Sequence, residues 1–180
     1  MLDLRCFTGI TTYMNGGFAS GMTSLKELYF PPFVTEEPAS GSSAAAPTSS
    51  FISGDTALKK IVLPYTCRRT RGAAFNQGSL NATLIIGDPI HGSEIKSLCE
   101  YQSHTGIGNL VLYATTPPYF HNYNSYNYAT VTPRGTTTIP SACKIYVPDS
   151  AVDTYKNSGS SMWGNFANRI YPISEFEGEL

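Results

Sequence analysis

Apolar residues in this chain gather in short runs separated by polar stretches. Leu28-Tyr29-Phe30 closes on Pro31, Ile61-Val62-Leu63 on Pro64 and Ile145-Tyr146-Val147 on Pro148, while Leu84-Ile85-Ile86 and Leu110-Val111-Leu112 repeat the run without the proline. Alternate residues of such a run lie on one face of a strand, and proline ends the ladder because it has no N–H to donate. The pattern predicts strands beginning at 28, 61, 84, 110 and 145.

The runs belong to a longer repeat. Residues 18–31, FASGMTSLKELYFP, align without gaps on residues 51–64, FISGDTALKKIVLP, at a constant offset of 33 and with seven identities in fourteen positions. The strand spacings are 33, 23, 26 and 35, so the longer ones equal the shortest plus insertions of ten, three and twelve. A unit of about 20–29 residues is the size of a leucine-rich repeat, in which each coil contributes one short strand and insertions fall in loops. A second register precedes the strands: Ile10 to Phe18, Cys67 to Phe75 and Ile90 to Leu98 each place a bulky residue eight positions after an apolar one. Phe18, Phe51, Phe75 and Leu98 are therefore expected to stack inside a solenoid whose strands pair side by side in parallel.

The segment ITTYMNGGFASGMTSLKEL at 10–28 resembles a unit of the BspA-like leucine-rich-repeat family of bacterial surface proteins. Lys144 to Lys156, followed by Trp163, Phe166, Ile170 and Tyr171-Pro172-Ile173-Ser174, resembles the terminal unit of such arrays, and Leu112 to Pro118 the stretch that leads into it. The chain departs from ordinary leucine-rich repeats in lacking an asparagine ladder and in its ragged units between 76 and 140. The resemblance implies a surface-exposed adhesion module. The expected architecture is one leucine-rich-repeat solenoid over 1–180, of about five units, with short parallel strands, an irregular or short-helical convex side and a C-terminal helical cap at 148–180. In that cap Asp149 or Ser150 is placed to accept from the free N–H groups of a helix start, with Asp153 three residues after Ser150. Ala151, Val152 and Tyr155 face inward, and Trp163, Phe166 and Ile170 close the lid.

Charge narrows the partners. Twelve Lys and Arg against 13 Asp and Glu give a net charge of −1, which supplies no broad field for nucleic acid or anionic lipid. No stretch reaches the ~20 apolar residues of a membrane span, and the start MLDLRCF has no export-signal pattern. Cys6, Cys67, Cys99 and Cys143 stand far apart with no metal-ligand spacing, and read as buried thiols packing as small hydrophobes. No cofactor is implied.

Four places are candidates for surface or site chemistry. Glu36 to Ser50 is low-complexity and reads as a flexible insertion. The 119–140 insertion is rich in Tyr, Asn and Thr; its first ten positions hold Tyr119, Tyr123, Tyr126 and Tyr128, four of the chain's 12 tyrosines. Tyrosine offers contact area with few torsions to freeze, and Asn and Ser adapt to polar partners, sugars included; the same residues also suit a loop folded onto the solenoid. Arg68, Arg69 and Arg71 form the one dense basic cluster, suited either to gripping a carboxylate or phosphate or to a solvated edge. Gly87-Asp88-Pro89-Ile90-His91-Gly92-Ser93-Glu94 brings Asp, His, Ser and Glu close together, but lacks a nucleophile elbow and reads as a polar turn. No catalytic constellation emerges.

The sequence thus points to a non-enzymatic extracellular module, at a cell surface or on a virion, that binds a protein or glycan. The alternative is a structural or host-attachment component of a larger particle such as a phage fibre or decoration protein. The N-terminal coil carries no cap pattern, so another domain, subunit or assembly is expected to cover it. Alone, the chain is expected to self-associate as its concentration rises; light scattering showing one monomeric mass throughout contradicts this.

Overall fold

The computed structural model describes residues 1–7, 21–32, 54–71, 81–100, 106–120, 139–158 and 163–180. Among them, seven parallel strands make one sheet: β1 (Leu2–Asp3), β2 (Glu27–Tyr29), β3 (Lys60–Leu63), β5 (Ala82–Ile86), β7 (Ile107–Leu112), β9 (Lys144–Val147) and β10 (Ile170–Pro172), in that spatial order. The chain is a parallel β-solenoid. All five expected strands are present, in the expected order, and β1 and β10 extend the sheet at its two ends.

Register explains why the spacing can vary while the fold does not. Leu28, Ile61, Leu84, Leu110, Ile145 and Ile170 are successive partners across the sheet, and each is at most 2% exposed. The extra residues of the longer units leave this row undisturbed. Of the expected inner residues, Leu98 and Trp163 are fully buried, whereas Phe18, Phe51 and Phe75 lie outside the described residues, as does the 36–50 insertion.

The repeat seen in sequence is also a repeat of backbone. Gly21 and Gly54 both take a left-handed conformation, φ 77° and 85°, where a side chain is disfavoured. In each coil the same two turn bonds follow: Thr23 N–H to Gly21 and Leu25 N–H to Met22 in the first, Thr56 N–H to Gly54 and Leu58 N–H to Asp55 in the second. Asp55 ties the coils together, its Oδ1 accepting the Met22 N–H at 2.7 Å. The residue is fully buried, and Oδ2 has no hydrogen-bond partner. Burial raises the Asp55 carboxyl above its ordinary value, against the lowering effect of the Met22 and Gly21 N–H groups.

A second parallel sheet forms one side wall: β4 (Arg69–Arg71), β6 (Ser97–Glu100) and β8 (Tyr119–Phe120), in that order. The expectation of an irregular or short-helical side did not include it. Each of these strands follows its coil's main strand after a corner of five to ten residues, so the side wall stacks in step with the main sheet.

The C-terminal cap has the expected position. After β9 come a 3-10 turn (Asp149–Ala151), α1 (Val152–Lys156) and a 3-10 segment (Trp163–Arg169) that leads into β10. Tyr155, Trp163 and Phe166 are buried and meet edge to face, with centroids 5.0 Å apart for the first pair and 6.1 Å for the second. Two buried polar bonds fix the lid to the coil beneath it: the Tyr155 hydroxyl donates to the Ala114 carbonyl at 2.9 Å, and the Trp163 indole N–H to that of Pro118 at 2.7 Å. The expected side-chain capping of the helix start is absent. The Ala151 N–H bonds instead to the Pro148 carbonyl at 2.7 Å, because the helix is entered through a 3-10 turn. Asp149 Oδ1 accepts the Ser174 N–H at 3.2 Å and so holds the C-terminal segment.

At the other end Asp3 and Arg5 form a two-pronged pair, with contacts of 2.9 and 2.6 Å, and the guanidinium lies 4.5 Å from the Tyr29 ring centre. Met1 and Phe7 remain exposed beside them.

Two stability changes follow. Tyr155→Phe leaves a buried carbonyl unpaired and is expected to cost about 1–3 kcal/mol, and Trp163→Ala about 3–5 kcal/mol; urea unfolding measures both, and losses under 0.5 kcal/mol contradict the lid. Because the folded carboxyl of Asp55 lies above its unfolded value, its charged form is penalised only in the fold. That penalty is absent below the unfolded value, near pH 4, and is complete above the raised one. Asp55→Asn, which keeps the acceptor, is therefore expected to gain on the parent as pH rises through this window. A pH-independent gap between their thermal midpoints excludes the linkage.

Candidate functional site

The side wall brings together two candidates that lie far apart in sequence. Its ladder begins at the corners, where the Glu94 N–H bonds to the Tyr65 carbonyl at 2.8 Å and the Lys96 N–H to that of Arg68 at 2.7 Å. The Tyr119 N–H then bonds to the Lys96 carbonyl at 2.8 Å. Register sets Arg69 opposite Ser97 and Ser97 opposite Tyr119, with Arg71 opposite Glu100 after an irregularity. Arg69 and Tyr119 are thus two strands apart, about 10 Å at ordinary strand spacing.

Inside the wall, Cys67, Thr70, Ser97 and Leu98 are fully buried, while Tyr119 is 42% exposed. Arg68 Nε lies 3.1 Å from Glu94 Oε2 in a half-exposed pair. A pair of that exposure adds little stability, but it engages the Arg68 guanidinium. In backbone register Arg71 pairs with Glu100, and Arg69 with Ser97, the residue after Lys96. Lys96 is exposed, and its carbonyl accepts the Tyr119 N–H, so a cationic residue of the wall adjoins the strand from which the tyrosine-rich insertion follows. Tyr123, Tyr126 and Tyr128, which follow β8 in sequence, lie outside the described residues.

The polar run at 87–94 forms the expected turn, and its side chains have local duties. Asp88 Oδ1 accepts the N–H groups of Ile90 and His91 at 2.9 and 2.8 Å, and its two oxygens stand 3.0 and 3.1 Å from His91 Nδ1. Burial works to raise the Asp88 carboxyl, but these contacts outweigh it and hold the group below its ordinary value. Ser93 Oγ accepts the Ile95 N–H at 3.3 Å. Aspartate, histidine and serine are thus engaged in turn geometry, not aligned as nucleophile and base.

Among the described residues no three His, Cys, Asp or Glu side chains are grouped to hold a metal, and no helix is long and apolar enough to cross a membrane. Cys67 and Cys143 are buried thiols, as expected; burial pushes Cys143 up to about 12. Cys6 corrects that reading, because it is exposed at the N-terminal end.

Two contributors escaped the sequence reading. Arg169 gathers the turn before β9, its Nη1 donating to the carbonyls of Pro140, Ser141 and Cys143. The outward row of the main sheet is apolar too: Ile85, Val111 and Tyr146 are buried, and Phe176 of the C-terminal segment packs edge-on to Tyr146 at 4.8 Å. Uninterrupted runs such as Leu84-Ile85-Ile86 carried that signal, since a strand with one wet face shows a polar residue at alternate positions. Ile90 corrects the eight-residue register that set it before Leu98 as Cys67 before Phe75: Cys67 is fully buried, whereas Ile90 projects from the 87–92 corner. No family model, curated protein or solved structure matches this chain.

Proposed function

We propose that this chain is a non-catalytic binding module of the BspA-like kind, working outside the cell and meeting a protein or glycan through its side wall. One observation carries the reading: the register Arg69, Ser97, Tyr119 sets the basic cluster beside the root of the tyrosine-rich insertion. A stacked scaffold holds such a surface in place before the partner arrives, which lowers the ordering cost of binding. Arginine, lysine and tyrosine residues on adjacent strands suit carboxylate-bearing partners, phenol rings giving area and cations orientation.

A second reading, as a component of a larger particle, draws on β1, which ends the sheet among the described residues, and on the exposed Met1 and Phe7 beside it. An open strand edge with apolar neighbours is a surface for further pairing, although the Asp3–Arg5 pair puts charge there and opposes unselective pairing.

Arrays of glycans and of folded extracellular protein domains test the first reading. Arg69→Ala combined with Tyr119→Ala is expected to weaken retained ligands at least about 10-fold, the size of one lost anchor, with thermal stability little changed. Replacing Tyr123, Tyr126 and Tyr128 by Ala is expected to add to the loss. Full binding by both variants moves the contact surface off this wall.

A further inference from the structure

The corner between β5 and β6 is contiguous with the side wall, since Tyr65 and Glu94 are hydrogen-bonded neighbours in the ladder that continues through Arg68 and Lys96. That corner is unusually well fixed. Asp88 and Gly92 exchange two backbone hydrogen bonds of 3.0 and 2.9 Å, and Asp88 Oδ1 gathers the N–H groups at the tip. Gly87 and Gly92 take φ of 93° and 72°. A Cβ on Gly87 would stand 2.2 Å from the Gly92 carbonyl oxygen, so the two legs close only without a side chain there.

Coils on both sides grip the hairpin. The His91 ring stacks on Tyr65 from the preceding coil, with centroids 4.4 Å apart and planes 16° from parallel. On the other side Gly92 lies over the next coil, where a Cβ would be 3.4 Å from the Tyr113 carbonyl oxygen. Proline at 89 fixes one more torsion. At the tip of this tied frame stands Ile90, 85% exposed, more than any other large apolar side chain among the described residues.

A lone exposed aliphatic residue on a mobile loop needs no explanation. Here the surrounding side chains hold the backbone, and the tip residue is left outside. We infer that Ile90 is a preorganised anchor that enters an apolar pocket of a folded protein partner, which makes that partner of the side wall a protein and not a glycan. This rests on the side-wall reading above.

The chemistry favours a protein pocket. A sugar is gripped by a flat ring face and by hydrogen bonds to its hydroxyls; isoleucine offers neither, and Tyr65 and His91 each spend one ring face on the other. Charge supplies the complement: the Asp88 carboxylate accepts the Ile90 N–H and so adjoins the tip, and the exposed Lys96 follows in the ladder of the wall. The pocket that fits is apolar, with a cation or N–H donors at its rim toward Asp88 and carboxylates toward the wall.

The test probes an array of folded extracellular protein domains and a glycan array with the parent chain, then titrates whatever is retained with three variants. Ile90→Ser removes the anchor, Ile90→Val shortens it, and Arg69→Ala combined with Tyr119→Ala removes the wall contacts. Support is a protein ligand weakened about 10- to 100-fold by Ile90→Ser and only a few-fold by Ile90→Val, with circular dichroism and thermal midpoint unchanged. A ligand set made only of glycans overturns the inference, as does a protein ligand indifferent to Ile90→Ser. If either fails Arg69→Ala with Tyr119→Ala, the side-wall reading survives the loss of the anchor. Retention of nothing on either array, or indifference to all three variants, overturns both.

Discussion

Everything in this molecule depends on one constraint: an inward-facing residue on each main strand must sit directly beneath its counterpart on the next. Leu28, Ile61, Leu84, Leu110, Ile145 and Ile170 satisfy it across six strands, with no break in parallel order. A parallel pair is joined by a long connection, so each contact closes a loop of more than twenty residues before it is rewarded. One coil has nothing to bury its apolar side against, and stability therefore comes from neighbours in sequence order. The ends are where such an array is weakest. The C-terminal lid answers this with Tyr155, Trp163 and Phe166, and its two buried donors reach back to Ala114 and Pro118, which penalises any sliding of the lid over its coil.

How much could be read from the residues follows from the same constraint. An inward residue is written as an apolar run and a strand end as proline, so the main sheet and its order were legible despite unequal spacing. The cap was legible because large aromatics crowd a short polar stretch. The side wall was not: Arg69-Thr70-Arg71 and Ser97-Leu98-Cys99-Glu100 show little apolar alternation, and they are strands because the coils above and below hold them in step. Local pattern cannot show a ladder imposed by neighbours. Helix capping was misplaced for a related reason. Asp149 has the right chemistry for a helix start, but the 3-10 entry lets the Pro148 carbonyl accept there, and the carboxylate serves Ser174 instead.

The candidate site divides along the same line. Arg68, Arg69, Arg71 and Tyr119 were visible as residue types, and what sequence could not supply was their adjacency, which needs the register of β4, β6 and β8. Asp55 was hidden more deeply. Its position is Met22 in the preceding unit, so the repeat itself gives no hint that a carboxylate there accepts backbone N–H groups from the coil before. The price is a buried charge with one oxygen unpartnered, an arrangement that stabilises the junction of two coils by hydrogen bonding while opposing it by desolvation.

Stacking also decides where recognition can evolve without loss of the fold. Inward positions are fixed by volume and the outward row is partly enclosed by Tyr113, Ile173 and Phe176, so neither wall of the main sheet is free to vary widely. Corners differ: their backbone is carried by the ladder on either side, and a side chain at a corner tip can change without opening a cavity. The 87–92 hairpin goes further, because its glycines, its Asx bonds and the Tyr65–His91 stack make it rigid without using the Ile90 side chain. Rigidity that excludes the tip residue contributes nothing further to folding at that residue. It lowers the cost of binding there instead, since a side chain held by a fixed frame has only its own torsions left to lose. The ordering cost of this corner is thus met during folding, by the same stacking that pairs Leu84 with Leu110.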